Sequence, residues 1–323
     1  MEPAREIQLF DLQPREADFL SDVVSGLMRA PKRLPSMYFY DERGSLLFDK
    51  ICDLKEYYPT RTELSILKRH AADIARRLGS NCQLIELGSG SSLKTHLLLR
   101  ALTEPHSYVP VDISRVHLLH AAARVAHAFP QLPVTPVCAD FTAELRIPTT
   151  LAAPAKKVVW FPGSTIGNFE PAERRTLLQR IRKLCLPQGG GLLIGIDLKK
   201  DRRRLESAYN DASGVTAQFN LNLLQRINRE LSADFRLEAF AHHAMYNAAC
   251  DRIEMHLVSR CEQRVAVGGE SVRFREGETI CTEYSYKFSV EEFAALAADF
   301  ELHLEASWTD PENLFAVLLL VSR

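Results

Sequence analysis

Short apolar runs recur between residues 82 and 198, separated by segments with a helical repeat. Cys82–Leu87 (CQLIEL), Tyr108–Val111, Val134–Cys138, Val158–Phe161 (VVWF) and Leu192–Ile196 read as strands. Between them, Leu93–Leu102 and Val116–Ala128 read as helices, as does a stretch opened by Pro171 in which Leu177, Leu178, Ile181 and Leu184 keep the 3.6-residue period. This alternation predicts an α/β domain with a parallel, doubly wound sheet. The unbroken VVWF run suits a strand buried on both faces.

Beyond Asp197 the rhythm changes. Leu223, Leu224, Ile227 and Leu231 give one apolar helical face, whereas Ile253, Met255 and Leu257 alternate as in a strand. Phe235 to Phe288 therefore reads as antiparallel sheet, with Gly268-Gly269 as a hairpin turn. A helix over Val290–Ala298 and strands over Glu301–Trp308 and Leu314–Val321 close the chain. The expected organisation is an α/β core over 62–198 completed by 286–323. A second, smaller mixed α+β unit would come from 1–61 plus 199–285.

Composition narrows the class of protein. Of the 323 residues 46% are apolar and 25% charged, which excludes wholesale disorder. Forty basic against forty-one acidic side chains give a net charge of −1, so bulk attraction to nucleic acid or an anionic membrane is not expected. The charge run Lys199–Arg204 (KKDRRR) has no interleaved aromatic residues and reads as a solvated face rather than an RNA contact. Apolar runs such as Phe315–Val321 fall far short of the ~20 residues that span a bilayer. The seven cysteines include no C-x-x-C pair, and the first twenty residues do not read as a signal peptide. A cytoplasmic monomer acting on a small molecule is the expectation. No metal is expected: His117 and His120 share a helix face without further ligands, and His242-His243 point to opposite faces of a strand.

The loop Glu86-Leu87-Gly88-Ser89-Gly90-Ser91-Ser92-Leu93-Lys94-Thr95 follows a strand and opens a helix, which suits a nucleotide-type ligand. Three ligands compete for it. A P-loop fits at Gly88 and Lys94-Thr95, and Leu192–Asp197 would serve as its second strand, but Leu93 stands where its last glycine belongs. A dinucleotide fingerprint fails at the same position. An S-adenosylmethionine site needs only E-x-G-x-G, met by Glu86, Gly88 and Gly90. It also expects Asp112 on the ribose at the end of the second strand, and Asp140 with Phe141 on the adenine after the third. Lys94 would meet the methionine carboxylate.

Several strings together resemble the histidine-specific N-methyltransferases that begin ergothioneine biosynthesis. These are Phe39-Tyr40-Asp41 through Gly44-Ser45, Glu56-Tyr57-Tyr58-Pro59-Thr60-Arg61-Thr62-Glu63, ELGSG (86–90) and FPGSTIGNF (161–169). Tyr209 in AYND, Ile253-Glu254-Met255 and Thr282-Glu283-Tyr284-Ser285 complete the series. The match begins near residue 20 and runs to the C-terminus. The resemblance implies a class I, Rossmann-like methyltransferase that trimethylates the α-amino nitrogen of L-histidine to hercynine, with S-adenosylmethionine as donor. It implies substrate contacts at Tyr40, Gly163 and Met255, a carboxylate contact at Tyr209, and an imidazole clamp at Glu283 and Ser285. Tyr57 and Asn168 become the catalytic candidates.

On the residues alone these roles stay open. Asn168 can donate to a carboxylate and accept from an amine, yet it can equally cap the turn before Pro171. Glu283 and Ser285 share one face of a strand roughly 7 Å apart, as solvated residues also do. Tyr57, Tyr209 and Met255 are equally readable as packing. Methylation of another amino acid or amine, RNA methylation and a non-catalytic S-adenosylmethionine-binding regulator are the competing functions.

Overall fold

The computed structural model describes residues 8–12, 19–90, 93–145, 147, 156–186 and 189–322. Its centre is an eight-stranded sheet in the spatial order Phe10–Asp11, Val137–Cys138, Ser107–Asp112, Cys82–Leu87, Lys156–Phe161, Gly191–Asp197, Phe315–Ser322, Leu302–Thr309. The first six run parallel, and Phe315–Ser322 pairs antiparallel with both its neighbours, so it alone is reversed. After the edge strand Phe10–Asp11 the chain enters the middle of the sheet at Cys82–Leu87, builds outward toward that edge, and returns to place Lys156–Phe161 on the other side. The order therefore reverses between these two strands, and ligands collect at the carboxyl ends on either side of such a reversal.

Apolar residues alternate across the pleat. Ile85, Val109, Val159 and Ile194 pack with Leu177, Leu178 and Ile181 of the helix Pro171–Cys185. Leu84, Val158, Trp160 and Leu193 pack on the other face with Ile66 and Leu67 of the helix Tyr58–Leu78. The long apolar runs in the sequence reflect this burial on both sides.

Two details depart from the expectation. The third strand pairs as a ladder only over Val137–Cys138, with Val134 making a single bridge to Tyr108. Pro133 and Pro136 have no amide proton to give, so the ladder cannot extend back through them. Phe10–Asp11, in a segment with no strand signal, adds an edge strand beside Val137–Cys138.

A second sheet holds Lys32–Arg33, Thr279–Tyr286, Arg252–Ser259 and Phe240–Asn247. Beside it, Gln263–Val267 and Glu270–Phe274 form the expected hairpin, turning through Gly268 and Gly269, both at positive φ. Its apolar face joins the helix Val215–Leu231 and the N-terminal helices Phe19–Met28 and Glu42–Cys52 in a separate cluster. The two sheets meet end to end: Phe288 N–H donates to Asp197 O at 3.1 Å and Lys199 N–H to Phe288 O at 2.9 Å.

At this joint Asp197 is buried between two lysines, Lys200 at 2.5 Å and Lys287 at 2.8 Å, and accepts from the Tyr58 hydroxyl at 2.8 Å. Side-chain exposure is 2% for Asp197, 6% for Lys200 and 1% for Lys287. Removing one partner of such a set leaves buried charge uncompensated. Asp197→Asn is therefore expected to lower unfolding free energy by roughly 3–5 kcal/mol in denaturant titration. A loss well under 1 kcal/mol would mean that the two lysines find water or another anion there.

Candidate active site

The cofactor half forms at three adjacent strand ends. Gly88 and Gly90 both take positive φ, 73° and 34°, directly after Cys82–Leu87. A Cβ on Gly88 would lie 3.9 Å from the Phe141 ring, so the glycine leaves the space beneath that ring open. Asp112 ends the neighbouring strand and accepts from Ser114 N–H at 2.9 Å. Burial raises its carboxyl above the usual range. Asp140 accepts from the Thr142 amide and hydroxyl at 2.8 and 2.6 Å, through one oxygen only. Phe141 stands edge-on to Phe161 and Phe169, which fixes its ring plane.

Glu86 behaves differently from the other loop residues. Its carboxylate turns inward, accepting from Thr95 Oγ1 at 2.6 Å and from the Tyr108 hydroxyl, and the residue is buried. Burial raises it to about 7. Both oxygens are engaged inside the protein, so Glu86 fastens the loop to the helix Leu93–Ala101 instead of facing a ligand.

The donor set fits S-adenosylmethionine. A half-buried carboxylate suits the ribose hydroxyls, an acid beside a fixed aromatic ring suits adenine, and Lys94 suits a carboxylate.

The acceptor half begins across the sheet reversal. After Lys156–Phe161 the chain turns through Gly163 and Ser164, at φ 76° and 57°, into a 3-10 turn, Thr165–Asn168. Ser164 holds its left-handed conformation because its hydroxyl accepts from Asp197 N–H at 2.9 Å. Gly167 lies where a Cβ would come within 2.8 Å of Tyr286 O, which seats the turn against the second sheet. Capping of the next helix falls to Glu170 and Glu173, not Asn168. The Asn168 amide makes no hydrogen bond to another described residue.

Facing this turn, Glu283 lies directly across from Met255, and Ser285 from Ile253, so the pairs share one sheet face. The Glu283 carboxylate accepts no hydrogen bond among the described residues. Burial raises it to about 7, partly offset by the charge of Lys287. Ser285 Oγ lies 2.9 Å from the Tyr209 hydroxyl and 2.8 Å from Lys287 Nζ. Met255 is buried beside this group within the apolar cluster.

Tyr57 precedes the helix Tyr58–Leu78 and stands edge-on to Tyr209 at 6.1 Å and to Phe48 at 6.2 Å. Tyr40, 42% exposed, stands edge-on to Phe48 and Phe219. Burial raises all three phenols, and the charge of Glu283 adds to the shift in each. The charge of Asp112 makes a smaller contribution in the same direction at Tyr40.

Among the residues named from the sequence, direct contacts and strand pairing join Tyr57, Tyr209 and Ser285, and Glu283 with Met255, while Glu86 lies beneath the surface. Sequence reasoning missed Tyr58, Glu63, Asp197, Lys200 and Lys287. Tyr58 and Glu63 lie inside the matched string EYYPTRTE, which was the one available signal. The KKDRRR run proves to be largely paired: Lys199 with Asp251 and Glu292, Arg202 with Glu206, Arg204 with Glu312. His242 holds the Tyr209 carbonyl at 2.8 Å.

Comparison with known proteins gives this geometry a family. The model of the histidine-specific, S-adenosylmethionine-dependent methyltransferases matches residues 19–322. The histidine N-alpha-methyltransferase of Mycolicibacterium smegmatis is 44% identical over 306 residues, covering 93% of this chain and 94% of its own. Its counterpart in Mycobacterium tuberculosis is 43% identical over 303 residues, covering 92% and 93%. Ergothioneine biosynthesis protein 1 of Neurospora crassa is 30% identical over 91% of this chain, which corresponds to 34% of that longer protein. The chain is a class I, S-adenosylmethionine-dependent methyltransferase and belongs to the histidine-specific methyltransferase family.

Proposed function

We propose that this enzyme transfers three methyl groups in succession to the α-amino nitrogen of L-histidine, forming hercynine, the first step of ergothioneine biosynthesis. The observation that most supports this acceptor is Glu283: a half-buried carboxylate that accepts no hydrogen bond among the described residues, beside the Ser285 hydroxyl and across from Met255. An imidazole, with two ring nitrogens, matches that pair.

Gly88, Asp112, Asp140, Phe141 and Lys94 would hold S-adenosylmethionine, which supplies an activated methyl group on a sulfonium. The protein's own work is alignment and exclusion of water. Asn168 and Tyr209 hold the substrate carboxylate, while Glu283 and Ser285 hold the ring. Neither contact involves the nitrogen that changes, so mono- and dimethylhistidine dock as histidine does. An α-amine has a reference pKa of about 8, so the neutral nucleophile forms at modest cost near neutral pH. Tyr57 keeps its proton, because burial raises its phenol. In the first two rounds its oxygen accepts from the neutral amine and aims the lone pair, and the proton released after each of them leaves to solvent. The dimethylated amine of the third round has no N–H to give and is aligned by the carboxylate and ring contacts alone.

Division of labour follows the sheets. We assign 62–198 with 286–323 to cofactor binding and 1–61 with 199–285 to acceptor binding, Phe10–Asp11 going with the core sheet that it edges. The separate apolar clusters support this partition. The cysteines are free thiols, which supports a reducing compartment, the cytoplasm. No helix of the described residues is long and apolar enough to cross a membrane.

Asn168→Ala is expected to weaken histidine, monomethylhistidine and dimethylhistidine by similar factors, about tenfold or more for a lost bond to a charged group. Calorimetric titration should show cofactor affinity unchanged. Full affinity for all three acceptors would move the acceptor site elsewhere.

Glu283→Ala should damage histidine methylation while relaxing discrimination against phenylalanine and tryptophan, which for a site with buried polar groups can reach about 10⁴-fold. Initial rates with the three acceptors decide this. Equal proportional losses would make Glu283 a fold residue. Its raised carboxyl also sets a sign for stability. The folded state binds the proton more tightly than the unfolded one, so stability falls as pH rises from 4.5 to about 7. Glu283→Gln should flatten that slope in thermal unfolding of the ligand-free protein.

A further inference from the structure

We propose that Glu63 is a positioning residue that couples the cofactor site to the acceptor site through Lys94 and Gly163. The inference rests on the assignment of Lys94 to the cofactor carboxylate and of Gly163–Asn168 to the acceptor.

Glu63 lies on the helix Tyr58–Leu78 and is fully buried, behind the strand ends on which both halves of the site are built. Its carboxylate touches one group from each half. Oε2 pairs with Lys94 Nζ at 2.5 Å, on the helix that follows the cofactor loop. The same carboxylate accepts the Gly163 N–H, at 2.9 Å through Oε2 and 3.1 Å through Oε1. Gly163 opens the turn that ends at Asn168. The seat is tight on its far side: a Cβ on Gly195 would lie 2.1 Å from Glu63 Oε1. Glu63 cannot retreat, so any change in its pairing is felt at Lys94 and Gly163.

The resting pairing also obstructs the acceptor side. Drawn to Glu63, Lys94 Nζ stands 3.5 Å from the position a Cβ on Gly163 would occupy. The ammonium has three donors and no acceptor. A carboxylate arriving on the cofactor side competes for it and draws it away from Gly163. The Gly163 N–H remains as the donor on Glu63, which sets the turn and the Asn168 amide at its end. Cofactor binding thereby clears and fixes the acceptor turn. By linkage, the acceptor must strengthen cofactor binding by the same factor.

The coupling is read by calorimetry without turnover, using S-adenosylhomocysteine, which keeps the same carboxylate, and L-histidine. In the wild-type protein histidine should bind at least about fivefold more tightly with saturating S-adenosylhomocysteine than without it. Glu63→Gln keeps an acceptor for the Gly163 N–H but removes the charge that holds Lys94. Each ligand should still bind this variant alone, with the ratio of affinities reduced to within about twofold of one. A residue that merely supported the fold would weaken both ligands and leave the ratio standing. If Glu63→Gln does not fold, Glu63→Asp replaces it, which keeps the charge but shortens the reach to Lys94 and the Gly163 N–H, and a ratio below the wild-type value is expected. A wild-type ratio of one, or a variant that keeps the wild-type ratio, would overturn the proposal. A wild-type protein that binds histidine under neither condition would contradict the functional reading and the coupling together.

Discussion

The site depends on one buried carboxylate. Asp197 ends the strand Gly191–Asp197 at the point where the two sheets meet, and it compensates Lys200 and Lys287 at once. Burial lowers Lys200 to about 8, while Lys287, held by Asp197 and Tyr209, is raised. Taking three charges out of water is costly, and such sets are weak evidence for stability gained over an apolar packing. Their effect here is positional. Lys287 donates to Ser285 Oγ and the Tyr209 hydroxyl, Ser164 accepts the Asp197 amide, and Tyr58 starts the helix that holds Glu63. Two lysines against one aspartate leave an excess positive charge. Glu283, which feels the charge of Lys287, and Asp310, which acts on Lys200, offset part of it.

Trimethylation constrains the rest. The product nitrogen has no proton to donate and carries a fixed charge, so contacts to the amine cannot anchor all three rounds. Anchors on the carboxylate and the ring can. The walls then need to tolerate a bulkier, permanently charged group, and under the proposed assignment the contacting rings Tyr40, Phe48, Tyr57 and Tyr209 would line it. Cation–π attraction of about 0.5–2 kcal/mol per face favours the sulfonium and the quaternary product alike.

Much of the fold was legible because parallel strands buried on both faces leave unbroken apolar runs, as in CQLIEL and VVWF. The strand-end positions of the candidate cofactor residues were legible for a related reason: Asp112 ends one strand and Asp140 follows another, as the strand-end rule expects. The acceptor pocket was not. Tyr40, Tyr57, Asn168, Tyr209 and Glu283 come from five distant stretches, and only the resemblance gathered them. Buried charges were least visible, because Glu63, Asp197 and Lys287 look in a sequence like any solvated residue. The edge strand Phe10–Asp11 has too few residues to show a period.

Incubating the protein with methyl-labelled S-adenosylmethionine and a pool of the common amino acids tests the central claim most directly. Label is predicted in one acceptor, L-histidine, with mass spectrometry showing three methyl groups on its α-nitrogen and none on the ring. Label in another amino acid, or on the imidazole, would contradict the assignment of Glu283 and Ser285 to the ring and of Tyr57 to the amine.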